Sequence, residues 1–213
     1  AIVVKSGLMT SRVATTTYLF LNDVIDQPND PPGYPSEWGS YSQIYGNAIA
    51  DYEMDPDITE DPDYKDVMKK ALLSIPTLSI VTDKDNLFSL VEDPETGGIY
   101  IYTGPPVGNI PGDGWERPAS VEYFNSDGSE DLHVDCGLRI QGGHSRLAEK
   151  SPKHSFRIVF KSKYGPSKLK YPFFGDDAAT EINTITFRAG FCNSWHHHSS
   201  TQRNRAQLLR DTW

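Results

Sequence analysis

The chain has 213 residues, 37% hydrophobic and 23% charged, with 9 Phe, 11 Tyr and 4 Trp, enough aromatic mass for a sizeable core. No apolar run approaches the roughly 18 residues that a membrane-spanning helix needs. The net charge of −9 argues against nonspecific nucleic-acid binding by the whole chain. It hides an asymmetry: residues 1–131 carry 7 Lys/Arg against 23 Asp/Glu, whereas residues 132–213 carry 13 against 6. The basic last part alone retains the capacity to bind phosphate, although plain solvation accounts for the same split. The 17 Gly and 15 Pro, scattered among strand-like runs, indicate a loop-rich β or α+β fold.

In chain order, Ala1–Val4 and Arg12–Leu21 read as strands joined by a Lys-Ser-Gly-Leu turn. Two strands alone are marginal in water, so their partners are expected upstream. The chain starts as if in mid-strand and stops as if in mid-helix, and is expected to be a piece of a longer protein with further domains on both sides. Residues 22–60 are rich in Pro, Asp, Gly and Tyr and read as an extended connector, with Tyr34, Trp38, Tyr41 and Tyr45 available to pin it to a neighbouring surface. Asp61-Pro62 then opens a predicted helix, capped by Asp61, with Tyr64, Val67, Met68, Ala71 and Leu72 as one apolar stripe and Pro76 as its end.

A strand is predicted at Thr77–Val81, a short turn or helix at Asp83–Val91, a turn at Asp93–Gly98 and a short strand at Ile99–Tyr102. Gly104–Gly114 is a loop, Arg117–Phe124 a strand, and Asn125-Ser-Asp-Gly128 a hairpin turn. Next come two alternating segments. In the first, Leu132, Val134, Cys136, Leu138 and Ile140 share one parity, and His133, Asp135, Arg139 and Gln141 the other. In the second, Phe156, Ile158 and Phe160 alternate with Ser155 and Arg157. If both apolar faces pack on one core, Arg139, Lys153 and Arg157 lie on the polar face. A lysine at a strand's start beside a Gly-rich turn suits an anion, phosphate first, while a surface hairpin with ordinary exposed basic residues fits the same spacing.

Lys161–Gly175 reads as a structured loop with an aromatic plug, Glu181–Ala189 as a strand, and Ser199–Trp213 as a helix. Cys136 has core parity and is expected to be a buried thiol; Cys192 sits in a loop, and the two form no disulfide framework or metal-binding pair. His196–His198 is too tightly spaced for all three rings to reach one ion in regular structure. Asn125–Asp131 lacks a full calcium-loop pattern, and Asp51–Asp66 reads as a solvated acidic face. No nucleophile elbow and no Walker loop is present.

Four ordered motifs carry a resemblance. Gly137-Leu-Arg-Ile-Gln-Gly-Gly-His-Ser-Arg146, Pro152-Lys-His-Ser-Phe-Arg157, Tyr171-Pro-Phe-Phe-Gly-Asp176 and Leu209-Arg-Asp211 occur in the same order as in the CotH family, the spore-coat protein H-like atypical protein kinases. Ser74–Asp83 looks like that family's entry strand, and the similarity covers about residues 61–213. Residues 1–26 resemble the tail of the immunoglobulin-like chitobiase C-terminal-type module that often precedes such domains. The resemblance implies an α+β architecture: a mostly antiparallel β small lobe of kinase-like type with few helices, preceded by terminal strands of a truncated β-sandwich. The implied division is 1–26 for the module's last strands, 27–60 for the linker and 61–213 for the N-terminal part of the kinase-like domain.

The implied activity is transfer of phosphate from ATP, with Mg, to exported or cell-surface protein substrates. Carried over, Lys153 matches the strand lysine that holds nucleotide phosphates, and Gly142, Gly143, Ser145 and Arg146 fall in the Gly/Ser turn. Arg210 and Asp211 match the start of a helix packed on the small lobe. Gln141 and Gly143 depart from the Arg and Asn common in the family's turn. The family's metal-binding and catalytic carboxylates lie downstream of the position of Trp213, so no catalytic residue is assigned and the fragment alone is expected to be inactive. A noncatalytic cell-surface or matrix module that retains the fold is the alternative from a different class.

Overall fold

A computed structural model of the chain describes residues 1–9, 11–38, 48–101, 114–142, 153–173 and 177–189. Its centre is a five-stranded antiparallel sheet built from β1 (Thr77–Val81), β2 (Arg117–Phe124), β3 (Glu130–Gln141), β4 (Ser155–Val159) and β7 (Thr184–Phe187), in the order β1-β2-β3-β4-β7. A two-stranded ribbon pairs β5 (Leu169–Lys170) with β6 (Glu181–Ile182). The helices are short: α1 (Leu21–Ile25), α2 (Pro56–Thr59), α3 (Met68–Leu73) and α4 (Lys84–Phe88). The described chain is thus α+β, mostly antiparallel sheet with few helices. Among the described residues no helix is long and apolar enough to cross a membrane.

Alternation sorts the sheet into two faces. The registers Leu78↔Tyr123, Val121↔Val134, Leu138↔Ile158 and Ile158↔Ile185 put every apolar parity on one side. Leu138, Ile158 and Cys136 are essentially inaccessible to solvent there, and full burial of one such aliphatic chain stabilises by about 1.5–3 kcal/mol. The ribbon and the aromatic plug cover this face, with Leu169 and Ile182 buried and Tyr171 and Phe173 packed edge-on against Tyr123. Cys136 is a free thiol in this core, and burial pushes its pKa up to about 12. The β2–β3 turn closes on Gly128, whose φ of 82° is the left-handed conformation that favours glycine.

Three expectations for residues 61–189 differ from the structure. The run 181–189 is split, because the carbonyl of Asn183 accepts the backbone N–H of Phe160 and sends β6 and β7 to different sheets. Asp61 caps a turn through the N–H of Asp63, but the helix proper starts only at Met68, and Tyr64 and Val67 of the expected stripe stay exposed. Ile99 and Tyr100 form a turn rather than a strand, their N–H groups bonding to Asn86 and Leu87 of α4. The Ile99 side chain is nonetheless buried in the core.

Among the described residues of the first twenty, none is in a strand. The two arms meet through Ala1 and Ala14, which exchange hydrogen bonds, and through the N–H of Ser11 to the carbonyl of Val3, and Leu21 then enters α1. The second arm runs over the polar face of the sheet. Thr17 N–H donates to the buried Glu122 carboxylate at 2.8 Å, Thr17 Oγ1 meets Ser79 Oγ at 2.8 Å, and Thr15 Oγ1 meets His133 Nε2 at 3.1 Å.

The linker is packed rather than extended. Trp38 and Ala50 are buried, Trp38 Nε1 donates to the Tyr52 hydroxyl, and that hydroxyl donates to the carbonyl of Pro35. Tyr34, Trp38, Tyr52, Phe88 and Tyr100 form one contiguous aromatic cluster. Tyr34 and Trp38 therefore pin the linker as expected, whereas Tyr41 and Tyr45 lie outside the described residues.

Candidate functional site

The polar face of the sheet converges on a row of side chains near the β3–β4 connection. Arg139 on β3 stands directly across from Arg157 on β4, which in turn faces Thr186 on β7. The β2–β3 register sets Arg117 opposite Leu138, so Glu116, one residue before β2, falls beside Arg139. The row across four chain segments is Glu116, Arg139, Arg157, Thr186. One row nearer the connection, Gln141 faces Ser155, whose hydroxyl accepts the N–H of Ala189 at 2.9 Å.

Glu116 is the anionic hub of this face. Its side chain is completely buried and accepts from Arg139 Nε at 2.7 Å and from Arg139 Nη2, with Lys161 Nζ at 3.1 Å and Lys163 Nζ at 3.0 Å. Burial alone would raise the Glu116 pKa, but hydrogen bonds from Lys163, Arg139, Lys161 and Tyr164 outweigh it and hold the carboxyl below its ordinary range.

The turn that delivers the two lysines packs closely on the sheet. A Cβ at Gly137 would lie 2.5 Å from Tyr164 Cε2 and 2.8 Å from Val159 Cγ2. Glycine is required there because the Tyr164 ring occupies the space above it. Gly165 meets the Asp135 carbonyl in the same manner.

Of the sequence-predicted site residues, Lys153 is exposed two residues before β4, and Gly142 is exposed directly after β3 with φ 111°. That φ lies where side chains rarely go, so glycine is needed for the chain to turn out of β3. Lys153 and Gly142 thus flank the same end of the β3–β4 pair, with Arg157 and Arg139 on the sheet close by. Gly143, Ser145 and Arg146 lie outside the described residues, as do Cys192, His196–His198, Arg210 and Asp211.

Sequence reasoning placed Arg139 and Arg157 on the polar face but missed Glu116, Lys161 and Lys163. Glu116 shares the parity of Ser120 and Glu122, and that was its only local signal. Its partners come from a strand and a turn more than twenty residues away.

His154, next to Lys153, is buried on the opposite side. Its ring stacks on Tyr100 at 4.1 Å with an interplanar angle of 29°, which joins the linker's aromatic cluster to the start of β4. Burial pushes the Tyr100 hydroxyl pKa well above its ordinary value. Arg117 is also buried, but its guanidinium is held by the carbonyls of Pro94, Gly97, Gly114 and Glu116 and so anchors a loop.

A cleft of about 440 Å³ lies between the N-terminal strap, the β1–β2 end and the Lys163–Tyr164 turn. Its polar groups bind one another: Arg12 donates to the Tyr164 carbonyl and pairs with Asp135, Thr82 donates to the Pro118 carbonyl, and Asn86 donates to Thr82. It is a seam between segments.

Among the described residues no group of three or more His, Cys, Asp or Glu side chains forms a metal-ligand set. In the acidic run, Asp55 and Asp61 cap turns. Asp127 accepts from the N–H and hydroxyl of Ser129 as a hairpin-turn residue does. In comparisons with protein-family models, curated proteins and solved structures, nothing matches this chain.

Proposed function

We propose that the chain is the small lobe of a CotH-like kinase, in which Lys153 and the turn beginning at Gly142 hold the phosphates of ATP. The observation that carries the reading is the position of Lys153: exposed at the mouth of β4, beside a left-handed glycine and a cation-rich sheet face. Phosphoryl transfer is mostly positioning and charge neutralisation, so a lysine and backbone donors at the phosphates are what a small lobe must supply. Its contribution is binding and orientation of the nucleotide. Among the described residues no group of three or more His, Cys, Asp or Glu side chains could hold a magnesium ion. The substrates of the full-length protein are then exported or surface proteins, and its location is extracellular or at the cell surface.

A second reading, a noncatalytic surface or matrix module, draws on the N-terminal segment, where Val3, Val4, Met9, Tyr18 and Phe20 are exposed. Such apolar surface suits assembly with another module. Binding of ATP with Mg by the full-length protein and by its Lys153→Ala variant decides between them. Weaker binding in the variant supports the kinase reading, and equal affinity removes the role assigned to Lys153. Autophosphorylation by the full-length protein excludes a purely structural module.

A further inference from the structure

Like charges directly across an antiparallel pair repel, and Arg139 and Arg157 are such a pair. Arg139 is compensated by Glu116 on its far side. Among the described residues the other neighbour of Arg157 in the row is the neutral Thr186, and its Nε is buried with no hydrogen-bond partner. A buried donor left unpaired is destabilising, which argues for a function or a ligand at the position. Around Glu116 the same face also carries Arg139, Lys161 and Lys163, each paired with that carboxylate.

We propose that Arg157, with Arg139 beside it and Thr186 across from it, forms an oxyanion-binding site on the polar face of the sheet that takes a phosphoryl group. A planar guanidinium presents parallel N–H donors to two oxygens of a phosphate, and the Thr186 hydroxyl is a further donor on the same row. A dianion between the two arginines turns their mutual repulsion into attraction to a shared ligand. The phosphoryl group can belong to a nucleotide or to free phosphate, and the site rests on the sheet register alone, independently of the role proposed for Lys153.

The test uses the full chain with inorganic phosphate, pyrophosphate and magnesium-free ATP as separate probes. Binding is followed by calorimetry and by the NMR signal of the Arg157 Nε–H group. The wild-type protein binds at least one probe and shifts that signal. Arg157→Gln weakens binding at least tenfold at unchanged melting temperature, Arg157→Lys weakens it less, and Lys153→Ala retains inorganic phosphate binding. ATP that displaces phosphate in competition identifies the nucleotide as the source, and ATP that leaves bound phosphate in place identifies free phosphate. The proposal is overturned if Arg157→Gln binds every probe as tightly as wild type, or if chloride at equal ionic strength displaces the probes completely. It is also overturned if the wild type binds none of them. Loss on Lys153→Ala with retention on Arg157→Gln would overturn this site and leave the nucleotide reading standing.

Discussion

Arg139 binds the buried Glu116 carboxylate through both Nε and Nη2, and its opposite neighbour across the sheet is a second arginine, Arg157. The ion pair ties the residue before β2 to β3 on the polar face. Glu116→Gln leaves Arg139, Lys161 and Lys163 facing one another without their common anion. We expect a loss of about 2–3 kcal/mol in urea unfolding, since the bonds lost are charge-assisted and the carboxylate is buried.

The same carboxylate sets an acid limb. Its folded pKa lies below the ordinary value, so the folded state binds fewer protons than the unfolded chain as pH falls past that value. The stabilisation is fully present above the unfolded carboxylate pKa and is lost as pH falls through the depressed folded value. Melting temperature measured between about pH 6 and pH 2 should fall less steeply over the acid end in Glu116→Gln than in wild type.

Gly137→Ala should lift the Lys161–Gly165 turn from the sheet. The added methyl would sit 2.5 Å from the Tyr164 ring and 2.8 Å from Val159 Cγ2, closer than real contacts allow. Overpacking of this kind costs about 1–3 kcal/mol, and hydrogen exchange should show reduced protection in residues 161–165 with little change in β1.

Cys136 should report global opening. With its thiol fully buried and its pKa pushed up to about 12, it should resist alkylation in the native protein at pH 8. In a Cys192→Ser background, labelling of Cys136 should follow the unfolding free energy measured by denaturant. Fast labelling at native conditions would contradict its placement.

Thr17→Pro removes the N–H that the buried Glu122 accepts, and should cost about 1–3 kcal/mol in denaturant unfolding. Thr16→Ala, whose hydroxyl donates to the neighbouring carbonyl of Thr15, should change stability by less than about 0.5 kcal/mol.

The central sheet was readable in the sequence because its signal is local. Leu132, Val134, Cys136, Leu138 and Ile140 announce a half-buried strand by parity alone, and Arg117–Phe124 is bounded by its own turn residues. What parity does not carry is register. Nothing local says that Glu116 falls beside Arg139, or that Lys161 and Lys163 fold back over Gly137 to reach it, because these meetings depend on two turns closing at particular lengths.

The N-terminal arm misled for a related reason. Thr15–Leu21 has strand composition, but its donors and acceptors are taken up by Glu122, Ser79 and His133 of a sheet far away in sequence. The stripe at 64–72 is used only in part: Met68 is buried, while Tyr64 and Val67 stay exposed. Lys153 and Gly142 flank the same end of the β3–β4 pair, as their places beside the two alternating segments imply, whereas the His154–Tyr100 stack links segments more than fifty residues apart, which no local pattern carries.

The most direct measurement of the account is equilibrium binding of ATP with Mg to the full-length protein and to its Lys153→Ala variant, at fixed ionic strength. Loss of the lysine should weaken binding at least tenfold while the melting temperature stays within a few degrees of wild type. Equal affinity of the two proteins for the nucleotide would contradict it.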